Sequence, residues 1–209
     1  KPAREDLWKI NIKDMGKAIR YAFSLPALRG VIIVTIIANF LVFPYMQLAP
    51  IFARDVLDVG PGMLGLMTSA EGFGMMVGAM FLASIGKIER VGVVFIIGTA
   101  ITTLAVILFS LSTVYILSLG MVFFAGVGMS GFATMQNVIP VSEASQEMRA
   151  TALGVIALAI GAHPLGMIYV GALAGSVSAP MAVFVNALIG LGLILIVWKF
   201  YTGLKSYAT

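Results

Sequence analysis

Six near-continuous apolar runs, at about residues 28–52, 62–85, 92–111, 114–139, 151–175 and 180–201, leave this 209-residue chain few folds to choose from. A helix rises about 1.5 Å per residue, and roughly 20 apolar residues cross the hydrocarbon core of a bilayer, so every run is near the length needed to span. The separators are short and rich in turn formers: Asp58-Val-Gly-Pro-Gly62, Gly86-Lys-Ile-Glu-Arg90, Ser112-Thr113, Pro140 to Ala150 and Ser176 to Pro180. Apolarity unbroken over such lengths favours helices over barrel strands, which alternate in segments of roughly ten residues. Charged residues make up 11% of the chain and hydrophobic ones 60%, with a mean hydropathy of +1.06, whereas soluble domains carry about 25% charged residues. A soluble fold is therefore excluded. The expected fold is all-α and integral to the membrane, a bundle of six transmembrane helices over residues 28–201.

The distribution of Lys and Arg supports the same span count. Lys1, Arg4, Lys9, Lys13, Lys17, Arg20 and Arg29 precede or open the first run, Lys87 and Arg90 follow the second, Arg149 follows the fourth, and Lys199 and Lys205 close the chain. If six spans alternate in direction, all of these fall on one side and only Arg54 lies opposite; one span more or fewer would scatter them. Because Lys and Arg concentrate in cytoplasmic loops, both termini are expected in the cytoplasm, with the bundle in the plasma (inner) membrane. Topology accounts for the net charge of +4, and no nucleic-acid partner is needed. The chain has no cysteine, which removes disulfides and thiolate metal sites, and no metal or other cofactor is expected.

Residues 1–27 read as a cytoplasmic amphipathic linker. Leu7, Ile10, Met15, Ile19 and Phe23 recur at near-helical spacing, while Lys9, Lys13, Lys17 and Arg20 fall largely on other faces, the pattern of a helix lying on a membrane surface. Pro26 breaks it and lets the first span open at about Leu28. No secretory signal pattern is visible in this stretch. The chain opens at Lys1 and is expected to be a piece of a longer protein, with residues 202–209 as a cytoplasmic tail.

Glu71 is the only acidic residue within a run and lies roughly 14 Å into the second span, near the bilayer centre. A charge at that depth costs on the order of 2.5 kcal/mol or more, so such residues usually face a cavity or a partner, and many serve proton or cation coupling. The plainer reading is a carboxyl hydrogen-bonded to a neighbouring helix. His163, roughly 18 Å into the fifth span, shares that depth and can exchange protons in the physiological range. It stands just before Pro164, so it could equally donate to a carbonyl that the proline leaves free. Asn39 near the middle of the first span, with Tyr45 and Gln47 further out, and Gln136 and Asn137 in the fourth, complete the polar groups. For any single amide, interhelical bonding is the simpler role. Glu71, His163 and Asn39 are the candidates for proton coupling or substrate binding. Gln136, Asn137, Met67 and Met75 are candidate cavity-lining residues, the two methionines flanking Glu71 at i, i+4 spacing as a flexible thioether face or as ordinary packing. Polar groups gather in the first, second, fourth and fifth spans, which leaves the third and sixth as the expected lipid-facing helices. Pairs such as Gly74 with Gly78 and Gly171 with Gly175 permit close helix approach.

A basic amphipathic linker followed by six spans resembles the C-terminal half of major facilitator transporters. The carrying segments are Ile19-Arg-Tyr-Ala-Phe-Ser-Leu-Pro-Ala-Leu-Arg29, Pro50-Ile-Phe-Ala-Arg-Asp-Val-Leu57, Gly65 to Gly78 with Gly72-x-Gly74, and Pro164-Leu-Gly166 ahead of Gly171-Ala-Leu-Ala-Gly175, and they are closest to the siderophore-exporter and macrolide-efflux-like branch. The resemblance implies one half of a twelve-helix fold, alternating access about a midplane site, and proton-driven export of a small amphiphilic molecule such as a drug or siderophore. It implies as partners the lipid bilayer, a missing N-terminal six-helix half, a small-molecule substrate and protons. The loop Gly86-Lys-Ile-Glu-Arg90 only partly resembles the family's basic cytoplasmic motif, and no family role transfers to Glu71 or His163.

Two other classes compete. A non-transporting membrane subunit or scaffold would carry the same spans. A rhomboid-like intramembrane serine protease is suggested by Gly128-Met-Ser130-Gly131, but the one histidine stands in the fifth span rather than the sixth, and a serine nucleophile needs a base within hydrogen-bond reach. No filter-like loop and no phosphate-binding loop appears, and the chain is not expected to be an enzyme.

Overall fold

The computed structural model describes residues 12–201 and 203. A leading helix, Ile12–Ser24, precedes six helices long and apolar enough to cross a membrane: span one Pro26–Val56, span two Pro61–Ser84, span three Val91–Leu111, span four Tyr115–Glu143, span five Gln146–Ser176 and span six Ala179–Phe200. No strand occurs among the described residues. The chain is thus an all-helical bundle of multi-pass membrane character. Of the leading helix, Leu7 and Ile10 lie outside the described residues; Met15 and Ile19 are exposed beside exposed Lys17 and Arg20, while Ala22 is buried against the bundle. Leu25 is extended and Pro26 occupies the first turn of span one, as the restriction before proline requires. Gly86, at φ 73°, ends span two in the left-handed conformation that glycine adopts without penalty.

Most span boundaries fall within a residue or two of those expected, with three exceptions. Span one continues past residue 52 to Val56, because Pro44 and Pro50 redirect it instead of ending it. Its helix runs as α over Pro26–Ile37, as a π segment over Ala38–Val42, as 3-10 over Phe43–Leu48 and as π again over Phe52–Val56. Span four runs through Pro140 to Glu143, beyond the expected end at 139. Its extension is tied to span one: Gln136 Nε2 donates to Thr35 Oγ1 at 2.9 Å, and the Glu143 carboxylate accepts from the Ala27 and Leu28 amides at 3.2 and 2.7 Å. Those two amides belong to the first turn of span one, where backbone donors have no intrahelical acceptor, so a carboxylate from another helix serves as the cap. Span five begins five residues early, with a 3-10 turn at Gln146–Met148.

Spans three and four form the tightest layer. A Cβ on Gly98 would lie 2.6 Å from the Gly128 carbonyl oxygen and 2.9 Å from the Phe132 amide, so only glycine permits this approach. Thr102 Oγ1 donates across the seam to the Ala125 carbonyl at 3.0 Å. Phe95 and Phe43 both pack on Phe132, with ring centroids 5.1 and 4.9 Å away, which seats span one against the pair. This overturns the expectation that span three faces lipid: 56% of its most apolar stretch is buried, against 17% for span two. Composition misleads here because lipid tails are as apolar as leucine, so an apolar helix has no bias toward the bilayer over the bundle.

Candidate functional site

Prolines decide where this bundle opens. Pro44 cannot donate to the Phe40 carbonyl four residues back, and Pro164 cannot donate to that of Ile160. Span one accordingly leaves α geometry at Ala38, and span five breaks at Gly161 into Arg149–Ile160 and Ala162–Ser176. The two irregular stretches lie side by side. A Cβ on Gly166 would meet the Phe40 oxygen at 2.5 Å and Pro44 Cγ at 2.9 Å, and the Phe40 and Tyr169 rings stack at 5.3 Å.

Beside this junction an open groove of about 680 Å³ runs between spans one, two, four and five. Span one contributes Asn39, Phe43, Met46 and Gln47; span two, Glu71 and Met75; span four, Met129; span five, Ala157, Ile160, Gly161, His163 and Pro164. Spans three and six contribute none of its lining. The wall is thus aromatic and thioether, with two amides, one carboxyl and one imidazole set into it. That is the usual make-up of a small-molecule site, an apolar surface with a few polar groups to fix orientation.

Tyr45, itself outside the lining and buried, donates from Oη to Glu71 Oε1 at 2.7 Å. Oε2 takes no hydrogen bond among the described residues, which leaves one carboxyl oxygen for whatever occupies the groove. Asn39 is held from below, its Nδ2 donating to the Thr35 carbonyl at 2.9 Å. His163 Nδ1 is buried with no partner, so the expected donation to a carbonyl freed by Pro164 is not made through that atom. An imidazole nitrogen without a partner costs free energy unless a ligand or water reaches it.

Four of the seven candidates, Asn39, Glu71, Met75 and His163, meet in this groove. Three do not. Met67 is fully buried, Gln136 is buried on Thr35, and Asn137 is exposed and donates to its own Ala133 carbonyl at 2.8 Å. Met46, Gln47 and Met129 join the lining without having been singled out for it, and Tyr45 enters as the partner of Glu71. Polarity within span one had marked Tyr45 and Gln47; nothing in a single sequence pairs Tyr45 with a residue of span two.

Ser130 lies elsewhere. Its Oγ donates to the Val127 carbonyl of its own helix at 2.7 Å and lines a separate apolar recess of about 220 Å³ between spans two, three and four, without His163. No family model, curated protein or solved structure matches the chain.

Proposed function

We propose that the chain is one six-helix half of a secondary transporter of the major facilitator type, exporting a small amphiphilic molecule by alternating access in exchange for protons. The observation that carries this reading is Glu71, the one carboxyl among the groove's lining residues, set in the wall of an open groove between two proline-broken helices. Irregular backbone at membrane depth is tolerated where it is buried in protein or lines a cavity, and discontinuous helices of this kind form the midplane sites of many secondary transporters. The openness of the groove and the exposure of span two leave room for a second bundle, the partner expected from the resemblance. Met46, Met75 and Met129 give the wall adaptable thioethers that suit apolar substrates of several shapes, and the free Glu71 oxygen suits a cationic group or a proton. By the distribution of Lys and Arg, the face bearing both ends of the bundle is the cytoplasmic one.

The test is Glu71→Gln in everted membrane vesicles from cells making the full-length protein, with the fluorescent cation ethidium as probe and an internal pH dye as proton reporter. Wild-type protein is expected to move ethidium against proton counterflow, and the variant to insert normally and fall to the level of vesicles lacking the protein. Full gradient-driven movement by Glu71→Gln would eliminate the coupling role.

A further inference from the structure

On the membrane face that carries both ends of the bundle, the first turn of span one and the last turn of span six enclose a recess of about 320 Å³ lined by Pro26, Arg29, Phe200, Tyr201 and Gly203. The chain leaving span six returns over the start of span one so closely that a Cβ on Gly203 would stand 2.6 Å from Pro26 Cβ. Arg29 holds its guanidinium carbon 5.6 Å from the centre of the Tyr201 ring. Its Nε is buried and has no hydrogen-bond partner among the described residues. Arginine stays charged and presents five N–H donors, so a buried guanidinium nitrogen without an acceptor is costly and points to a ligand that completes it.

A carboxylate beside the first turn of span one is already engaged. Glu143 reaches the same helix start, but its two carboxylate oxygens accept from the Ala27 and Leu28 amides, and it forms no ion pair with Arg29. Those amides are therefore unavailable to an incoming anion, and the donor set is the arginine side chain itself. Among the described residues, no acidic one lines the recess. Exposed Lys199, with its ammonium 5.8 Å from the ring centre of the lining residue Phe200, adds a second positive charge in the last turn of span six. Phe200 is 69% exposed at the end of an apolar span, the position of an interfacial aromatic beside lipid.

We propose that this recess binds the phosphate group of an anionic phospholipid, with Arg29 donating two N–H groups to two phosphate oxygens and Lys199 of the same span end adding positive charge. Planar guanidinium matches phosphate in this bidentate manner, and basic recesses between spans near the cytoplasmic surface are suited to anionic head groups. The recess is distinct from the transport groove: the two share no lining residue.

Trp198, in the last turn of span six, reports on the site. Full-length protein with every other tryptophan replaced by phenylalanine is placed in phosphatidylcholine vesicles, with equal small fractions of brominated phosphatidylglycerol or brominated phosphatidylcholine. For wild type, the anionic lipid is expected to show about fivefold preference at Trp198 over the zwitterionic one, the factor that one well-placed arginine supplies. Arg29→Gln should abolish the preference, and Arg29→Lys, which keeps the charge but loses the planar fork, should retain only part of it. About 20 mM inorganic phosphate, compared with chloride of matched ionic strength, should leave the quenching unchanged; relief by phosphate alone would show a free-phosphate site and overturn the lipid assignment. Equal quenching by the two lipids, or an undiminished preference in Arg29→Gln, would overturn the site itself. If Arg29→Gln fails to accumulate, an unchanged preference in Arg29→Lys does the same.

Discussion

Spans one and five are broken and line the groove, whereas spans three and four are continuous and form the tight layer behind and beside it. Both pairs use small residues for close approach, yet to opposite ends. In the continuous pair, Gly98 and Gly128 bring backbone onto backbone, and both helices stay in α geometry through the contact, with Pro140 of span four well beyond it. In the broken pair, Gly166 admits the one carbonyl, that of Phe40, that Pro44 cannot satisfy. The difference teaches that rigidity and opening are assigned helix by helix. A layer with regular backbone has no cheap way to shift, whereas one interrupted at Ala38–Val42 and Gly161 can absorb a displacement in a few dihedrals.

The largest expected effect comes from forcing the continuous pair apart. Gly98→Ala puts a methyl against the Gly128 carbonyl and the Phe132 amide, where neither helix can yield; it should cost about 2–3 kcal/mol and lower the apparent Tm in detergent by roughly 5–10 °C. Gly120→Ala, with no heavy atom within 4 Å of the new methyl, is the control and should leave Tm unchanged. Gly166→Ala meets contacts of similar closeness at Phe40 and Pro44, but the broken spans should yield, holding the cost to about 1 kcal/mol. Equal losses of Tm at Gly98 and Gly166 would break the comparison, because the two pairs would then be equally stiff. Pro164→Ala restores a donor to the Ile160 carbonyl and should raise Tm by about 2–4 °C while slowing amide exchange around Gly161. Faster exchange there would mean that tertiary packing, not proline, opens span five. The smallest effect is expected from Thr102→Val, which removes one hydrogen bond to Ala125 and should cost about 0.6 kcal/mol, a Tm change of roughly 2 °C.

The candidate site was half legible in the residues. Glu71 and His163 stand out by charge and depth alone, and the structure sets both in one groove. The methionines show where that reasoning stops. Met67 and Met75 lie four residues to either side of Glu71, yet Met67 is fully buried and Met75 lines the groove, so the edge of the cavity passes between them at Glu71. Spacing along one helix gives the angle between two side chains and not the direction of the neighbouring helix. Gln136 and Asn137 repeat the lesson: adjacent residues point about 100° apart, and one meets Thr35 while the other faces out.

By itself, the sequence determined the number of apolar helices among the described residues and their approximate ends, because bilayer thickness sets the length of an apolar run. It also pointed to one break, since Pro164 removes a backbone donor inside the fifth span. Only the tertiary structure decided that span three is buried and span two open, that Tyr45 bonds Glu71, that Glu143 caps span one, and that Arg29 Nε is left without an acceptor among the described residues. Where lipid and protein interior are equally apolar, hydropathy cannot choose a helix's neighbours; the fit of small residues against backbone does.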